Sequence, residues 1–469
     1  MKSVLTVTLA LFLAAAAQAQ KEAPLPKDLP AYGLQPVFQV PDVKVSKLDN
    51  GLTVWLVPQP GIPRVAFRVV LLGGLAADPA GRPGLSELLA RTLNQGTKTR
   101  SARQIAEEIQ AAGGDLGTAA DRDSTFITTT VLSSKTEAAV GLLADVLQNA
   151  AFPDNEVALA KRNLSDSLRQ REAQPRFQAS RAMARVLFGS GPYSVIAPTQ
   201  DSLAAMTADE LRKEFARRFR PDQAIFVAVG DFDAAKMSAM LKEKIGTWKA
   251  PSTPAAVVNA KPAAAVPHAV TFVARPNSVQ TTLLVAGFGP LRSDPDYEAT
   301  TVANSIYGGS FSSRLVSNIR EDKGYTYSPG ANLDLLRQAG VVRTRADVRN
   351  DVTGASLNEI EYELNRMATT SPTEEELSRA KRFLLGIEAI TLQVHAAVAA
   401  ELTELWLNGL GPDGISAFNQ KVSAMKSEDV DSAARKYFPA SRMTIVAVGE
   451  EKVIHDALAP FGLPLQSTK

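Results

Sequence analysis

Arg320 and Tyr327 stand seven positions apart in the stretch 306–330, Ile-Tyr-Gly-Gly-Ser-Phe-Ser-Ser-Arg-Leu-Val-Ser-Asn-Ile-Arg-Glu-Asp-Lys-Gly-Tyr-Thr-Tyr-Ser-Pro-Gly. A guanidinium is a forked, permanent cation, and a phenol is a neutral donor. Together they suit a peptide carbonyl or an oxyanion forming from it. A surface arginine beside a half-buried tyrosine is the plainer reading of the same residues. The elements that must position them are legible. Gly308-Gly309 predicts a helix stop. Phe311, Leu315 and Ile319, at four-residue spacing, predict one buried face of a short amphipathic helix. Arg320 closes that helix, Gly324 breaks it, and Tyr325, Thr326 and Tyr327 have strand character. A helix end feeding a strand start can bring both side chains to one point.

The 469 residues exceed one ordinary core, so two or more domains are expected. A hydrophobic fraction of 45% and a charged fraction of 21% are those of a globular protein. Net charge is +2, which gives no reason to invoke nucleic acid or an anionic membrane. Residues 1–19 read as a signal peptide: Lys2, an apolar run from Val4 to Ala16, then Ala17-Gln18-Ala19. That run is too short to span a bilayer, and no other stretch is long and apolar enough. With no cysteine there is neither a disulfide framework nor a lipidated cysteine. A periplasmic or exterior location is expected.

Residues 20–42 read as an extended leader. Asp49-Asn50-Gly51 between apolar alternations predicts a hairpin starting at Val43. Strands are expected at 64–72, 126–132 and 225–229. Helices are expected at 84–95, from a capping box at Ser101 and Gln104 to Gly113, and at 135–149, 154–172, 178–187, 207–217 and 233–245. Residues 250–269 are dense in proline and alanine and read as a semi-rigid linker. It divides a first domain, 43–249, from a second, 270–469.

The two halves look like copies. Met206–Asp231 lies on Met425–Glu450 without a gap, matching Phe219 to Phe438 and Val227-Ala228-Val229-Gly230 to Val446-Ala447-Val448-Gly449. Ala160-Lys161-Arg162 falls on Ala380-Lys381-Arg382 at nearly the same offset. Two matches at one offset indicate an internal duplication of an α+β unit.

A duplicated half of this kind resembles the pitrilysin/insulinase family of zinc peptidases, in its processing-peptidase branch. The residues that carry the resemblance are Asn50-Gly51-Leu52, Gly84-Leu85-Ser86, Gly96-Thr97, Gly308-Gly309-Ser310-Phe311-Ser312-Ser313-Arg314-Leu315, Ile319-Arg320-Glu321 and Gly324-Tyr325-Thr326-Tyr327-Ser328. The resemblance implies an α+β fold: two homologous α/β domains, each an antiparallel-rich sheet packed against helices, together forming half of a clam-shell. Catalytic members carry H-x-x-E-H on the helix placed here at 84–95, two histidines for one zinc and a glutamate for its water. In this sequence those positions are Glu87, Ala90 and Arg91. The family's later glutamate ligand falls at Ser167, beside Asp166, and its companion at Ala160. No histidine occurs in 20–267, so no shift of register restores the site. His268, His395 and His455 stand alone, without a second histidine or cysteine at ligand spacing.

The other half of the family's site is retained. Arg320 and Tyr327 match its substrate-gripping pair, and Gly308, Gly309, Ser310 and Phe311 match the adjoining substrate-binding motif. The resemblance therefore implies a non-catalytic, zinc-free, substrate-binding subunit. It would pair with a homologue that bears H-x-x-E-H and zinc, and the dimer would act on unfolded peptides. Two other readings are a purely structural subunit, like the related core proteins of a respiratory complex, and a stand-alone peptide-binding module.

Overall fold

Asn50 and Gly51 form the turn that their pairing predicts. Gly51 takes φ +96°, and Asn50 Oδ1 accepts the Leu52 N–H. Asn50 Nδ2 donates to the carbonyls of Ile245 (2.9 Å) and Trp248 (3.0 Å), docking the hairpin on a distant part of the chain. The hairpin joins β1 (Lys44–Lys47) to β2 (Thr53–Pro58). The computed structural model describes residues 42–262 and 265–467. The expected signal peptide and nearly all of the leader lie outside the described residues.

With β3 (Arg64–Leu72), β4 (Gly117–Ala120), β5 (Ser124–Leu132) and β6 (Ala224–Gly230), the hairpin builds a six-stranded sheet in the order β1-β2-β6-β3-β5-β4. Only the β2–β6 pair is parallel. Val65, Phe67, Val69 and Leu71 of β3, with Ile127 and Val131 of β5, share one buried face, as a period of two demands. Packed in that core are α1 (Leu85–Thr92), α2 (Ala102–Ala111), α3 (Thr136–Asn149) and α4 (Asp154–Glu172). The Ser101/Gln104 capping box is present at the start of α2. The half is completed by α5 (Pro175–Phe188), α6 (Gln200–Ala205), α7 (Ala208–Arg218) and α8 (Ala234–Ile245).

The second half repeats this arrangement. Its strands are β7 (Val270–Ala274), β8 (Gln280–Gly289), β9 (Gly330–Leu336), β10 (Ala339–Arg349), β11 (Thr444–Gly449) and β12 (Leu465–Ser467). They pair in the order β12-β7-β11-β8-β10-β9. The inner strands β2, β6, β3, β5 and β4 thus correspond to β7, β11, β8, β10 and β9. Only the outermost strand differs, being β1 in one sheet and β12 in the other. The helices are α9 (Tyr297–Asn304), α10 (Arg314–Val316), α11 (Thr353–Thr369), α12 (Glu374–Thr391), α13 (His395–Leu407), α14 (Gly414–Ala424), α15 (Ser427–Tyr437) and α16 (Glu451–Leu458). Correspondence reaches single hydrogen bonds. Lys161 on α4 donates to the Met206 carbonyl (2.6 Å), and Lys381 on α12 donates to that of Met425 (3.0 Å).

The halves exchange one helix each. α5 lies against β7, β8 and β11 of the second sheet, and α13 lies against β3 and β6 of the first. Ala179, Ala182, Met183 and Leu187 of α5 join Leu284, Ala286, Val446 and Val448 in one apolar cluster. A bend of 114° between α12 and α13 lets the chain cross over. Among the described residues no single helix is long and apolar enough to cross a membrane. The described part of 250–269 holds neither helix nor strand. It is tied to both halves of the chain between Thr253 and Ala260. Arg220 donates to the Thr253 carbonyl (2.7 Å), and the Gln338 amide bonds Ala260 N (3.0 Å) and the Val258 carbonyl (2.6 Å).

Within 306–330 one expectation holds and two are corrected. The helix does stop at Gly308-Gly309, α9 first widening into a π turn over Ser305–Gly309 before Ser310 becomes extended. Phe311 does not share the buried face of Leu315 and Ile319. It is 64% exposed, because α10 begins only after Ser313 caps it. Tyr325, Thr326 and Tyr327 form no strand, and β9 starts at Gly330. Their bonding capacity is used otherwise: Tyr325 N–H goes to the Ile319 carbonyl (2.9 Å), and the Thr326 hydroxyl goes to the Asp347 carbonyl (2.6 Å).

Candidate functional site

Gly308 fixes where this loop begins. A Cβ at that position would lie 2.8 Å from Ala331 Cβ, so only glycine lets the π turn seat against β9. Gly309 is exposed beside Asn304, and the Ser310 hydroxyl donates to the Ser305 carbonyl (3.1 Å). These residues shape the turn, and Phe311 projects from its end. Leu315 and Ile319, both fully buried, anchor the following segment. Arg314 locks it to α12 through Glu376, with arms of 2.7 and 2.9 Å.

The structure brings Arg320 and Tyr327 together. The guanidinium carbon lies 4.6 Å from the Tyr327 ring centroid and 4.7 Å from that of Phe311. Glu321 Oε1 is 3.0 Å from Arg320 Nε. The cation is therefore held between two aromatic rings, each contact worth about 0.5–1 kcal/mol at an exposed site. Tyr327 is 81% exposed, and its hydroxyl has no hydrogen bond among the described residues. Arg349 fastens the loop from below by donating to the Gly324 carbonyl (3.1 Å). A preformed cation and a free phenol donor facing solvent can grip a peptide carbonyl and donate to it as charge gathers there. Phe311 belongs to the motif that the resemblance marks as substrate-binding, but its contact with the Arg320 cation was hidden in the sequence, because its spacing matched that of the core residues Leu315 and Ile319.

The positions that resemble a zinc site hold other chemistry. Glu87 Oε1 lies 3.2 Å from Arg91 Nη2 and 3.4 Å from Arg171 Nη2. Ala90 is fully buried, and the hydroxyl of Ser167, half-buried on α4, makes no hydrogen bond among the described residues. Asp166 pairs with Arg169, and Ala160 packs on the core. A carboxylate, Glu87, and a guanidinium, Arg91, stand where imidazoles would be needed, and the carboxylate is already matched to Arg91 and Arg171. This donor set does not fit zinc. Among the described residues no three His, Cys, Asp or Glu side chains gather in a way that could hold a metal. The histidines are engaged separately. His268 Nδ1 lies 2.9 Å from the Met443 carbonyl, burial pushes the His395 pKa down, and His455 meets the Phe272 ring edge-on.

Known proteins share this architecture. The family model described as insulinase (peptidase family M16) matches residues 53–189, and the one described as peptidase M16 inactive domain matches 205–384. An uncharacterized zinc protease of Mycobacterium leprae is 26% identical over 397 residues, 83% of this chain and 88% of its own. One from Rickettsia bellii is 26% identical over 411 residues, 86% of this chain and 96% of its own. The crystal structure of a peptidase M16 inactive domain from Pseudomonas fluorescens superposes with a TM-score of 0.82 at 25% identity, covering 87% of this chain and 98% of that one. A protease from Helicobacter pylori superposes with a TM-score of 0.83 at 18% identity, covering 88% and 100%. With the duplicated sheets, the 308–315 motif and two adjoining family models in agreement, this chain belongs to the insulinase (M16) peptidase family, with neither histidine of H-x-x-E-H in place.

Proposed function

We propose that this chain is the non-catalytic, substrate-binding subunit of a two-chain zinc metalloendopeptidase that acts on unfolded peptides in the periplasm. The observation that carries the reading is Arg320 held between Phe311 and Tyr327 in a chain whose metal positions are Glu87, Ala90, Arg91 and Ser167. A scaffold has no use for an ordered guanidinium beside a free phenol. An enzyme working alone could not use such positions for zinc. The chemistry at the metal belongs to a homologous partner bearing H-x-x-E-H. On this chain, Arg320 binds and orients the carbonyl of the bond to be cut, and Tyr327 donates to its oxygen as negative charge develops.

Co-purification of the full chain from its native source tests this, with zinc analysis of the complex and of the chain alone. The expected result is a homologue with H-x-x-E-H in the complex, carrying about one zinc, and an isolated chain without zinc or peptidase activity. Stoichiometric, chelator-sensitive zinc and activity in the isolated chain would overturn it.

A further inference from the structure

The face of the second sheet that α5 leaves uncovered is cationic. Along β10, Val342, Ala346 and Val348 point into the core, so Val341, Arg343, Arg345 and Asp347 point the other way. Val341 lies in the cluster under α5. Beyond it, Arg343 pairs with Asp334 on β9 (3.0 Å). Asp347 receives Arg176 from the start of α5 (2.8 Å) and the Thr282 hydroxyl (2.6 Å). Arg345, between them, is exposed, and its guanidinium has no hydrogen bond or ion pair among the described residues. The strand register keeps it open, because its partner on β9 is Gly330, which has no side chain to fold over it.

A second unpaired cation approaches from the other half. The guanidinium of Arg122, in the β4–β5 turn, lies 5.9 Å from the Phe188 ring and also has no hydrogen bond or ion pair among the described residues. Its charge is felt by Asp334 and Arg343. Arg122, Arg176, Arg343 and Arg345 thus meet three carboxylates, Asp123, Asp334 and Asp347. Asp123 also accepts from the Tyr193 hydroxyl and the Arg337 N–H (2.9 Å). Partial burial, then the like charges of Arg176 and Arg343, press the Arg345 pKa down. An arginine stays charged regardless, so an incoming anion is what relieves the repulsion.

The patch adjoins the Arg320/Tyr327 loop. That loop is fastened to β10 at Asp347 and Arg349, and Arg345 lies two residues before Asp347, about 7 Å along the strand. We propose that Arg345, backed by Arg122 and Arg343, is a carboxylate-binding subsite selecting unfolded peptides with an Asp or Glu a few residues from the bond held at Arg320 and Tyr327. An Arg–carboxylate fork gives such a site both strength and direction. The proposal rests on the peptide-binding reading above and adds the substrate class.

The test uses the isolated full chain and fluorescence anisotropy. Two labelled unstructured peptides of alanine, serine and glycine are compared, one carrying glutamates and the other glutamines at the same places. The Glu peptide is expected to bind about tenfold tighter. That preference should shrink with added salt and disappear in a folded Arg345→Gln variant, with the Gln peptide unaffected. Equal binding of the two peptides by the wild-type chain would overturn the subsite. So would an Arg345→Gln variant that weakens both equally, or a single-stranded oligonucleotide that competes as well as the Glu peptide. Failure of both peptides to bind would count against the peptide-binding reading itself. Failure of the preference alone counts only against the subsite.

Discussion

Arg314 and Glu376 form a two-armed ion pair, Nε–Oε1 2.7 Å and Nη2–Oε2 2.9 Å, with Arg314 only 6% exposed. The pair ties the loop that bears Arg320 to the first turn of α12. The Arg314 hydrogen bond holds the Glu376 carboxyl down to about 2. A carboxyl with a depressed folded pKa stabilises the fold above its unfolded value, about 4.3. That contribution is lost as pH falls through the folded value. Glu376→Gln is expected to cost about 3 kcal/mol at pH 7, since it strands a buried guanidinium. Urea unfolding of both proteins from pH 7 downward measures it. A gap that does not narrow below about pH 4 would contradict the assignment.

The metal positions give a second test. Glu87→His, Ala90→Glu, Arg91→His and Ser167→Glu together should restore at most weak zinc binding. Arg171, 3.4 Å from the Glu87 carboxylate, remains as a cation beside the new ligands. Introduced imidazoles would also need carboxylate or carbonyl partners to orient them, which a site built around Glu87–Arg91 pairing has no need to supply. Metal analysis of the fourfold variant after dialysis checks this. Tightly held zinc with full peptidase activity would show that the first half needs only its ligands back.

The duplication was legible because equivalent positions do equivalent work: Lys161 and Lys381 bond the carbonyls of Met206 and Met425, which the sequence superposition already aligned. The hairpin at Asn50-Gly51 and the cap at Ser101 were legible for a similar reason, since turn and cap chemistry is local. The exchange of α5 and α13 between sheets was not. An apolar helix face does not say which sheet it will cover, and the Leu392–Val394 bend carries no proline or glycine to announce it. Within the site, the spacing of Arg320 and Tyr327 was readable. The place of Phe311 was not, because four-residue periodicity cannot show that a helix begins at Arg314 rather than three residues earlier.

Glu388 on α12 offers a pH dependence of opposite sign. Burial, then the like charge of Glu401, raises its carboxyl to about 7 against the pull of Arg292. A carboxyl with a raised folded pKa carries no penalty below its unfolded value, about 4.3. It destabilises increasingly as pH rises through the folded one. Discounted for partial exposure, Glu388→Gln should stabilise by about 2 kcal/mol at pH 8 and change little at pH 4. Thermal unfolding at the two pH values is the check. The same gain at both would mean that the effect is packing rather than charge.

The Arg320/Tyr327 pair carries the functional claim and separates into distinguishable effects. In the complex with the zinc-bearing partner, Tyr327→Phe should lower kcat about a hundredfold with little change in KM, because a donor of this kind gains value mainly as charge develops. Arg320→Ala should raise KM as well, since a guanidinium that holds a carbonyl acts in the ground state too. Arg320→Lys should not rescue it, because a point charge cannot reproduce the fork. Phe311→Ala removes one of the two rings at the cation, and about 0.5–1 kcal/mol of restraint corresponds to a few-fold rise in KM. Steady-state kinetics on the reconstituted complex measure all four, and gel filtration checks that assembly is intact. If the Arg320 and Tyr327 variants cleave peptides at the wild-type rate while the partner still depends on this chain, the pair takes no part in catalysis. The chain is then a structural subunit.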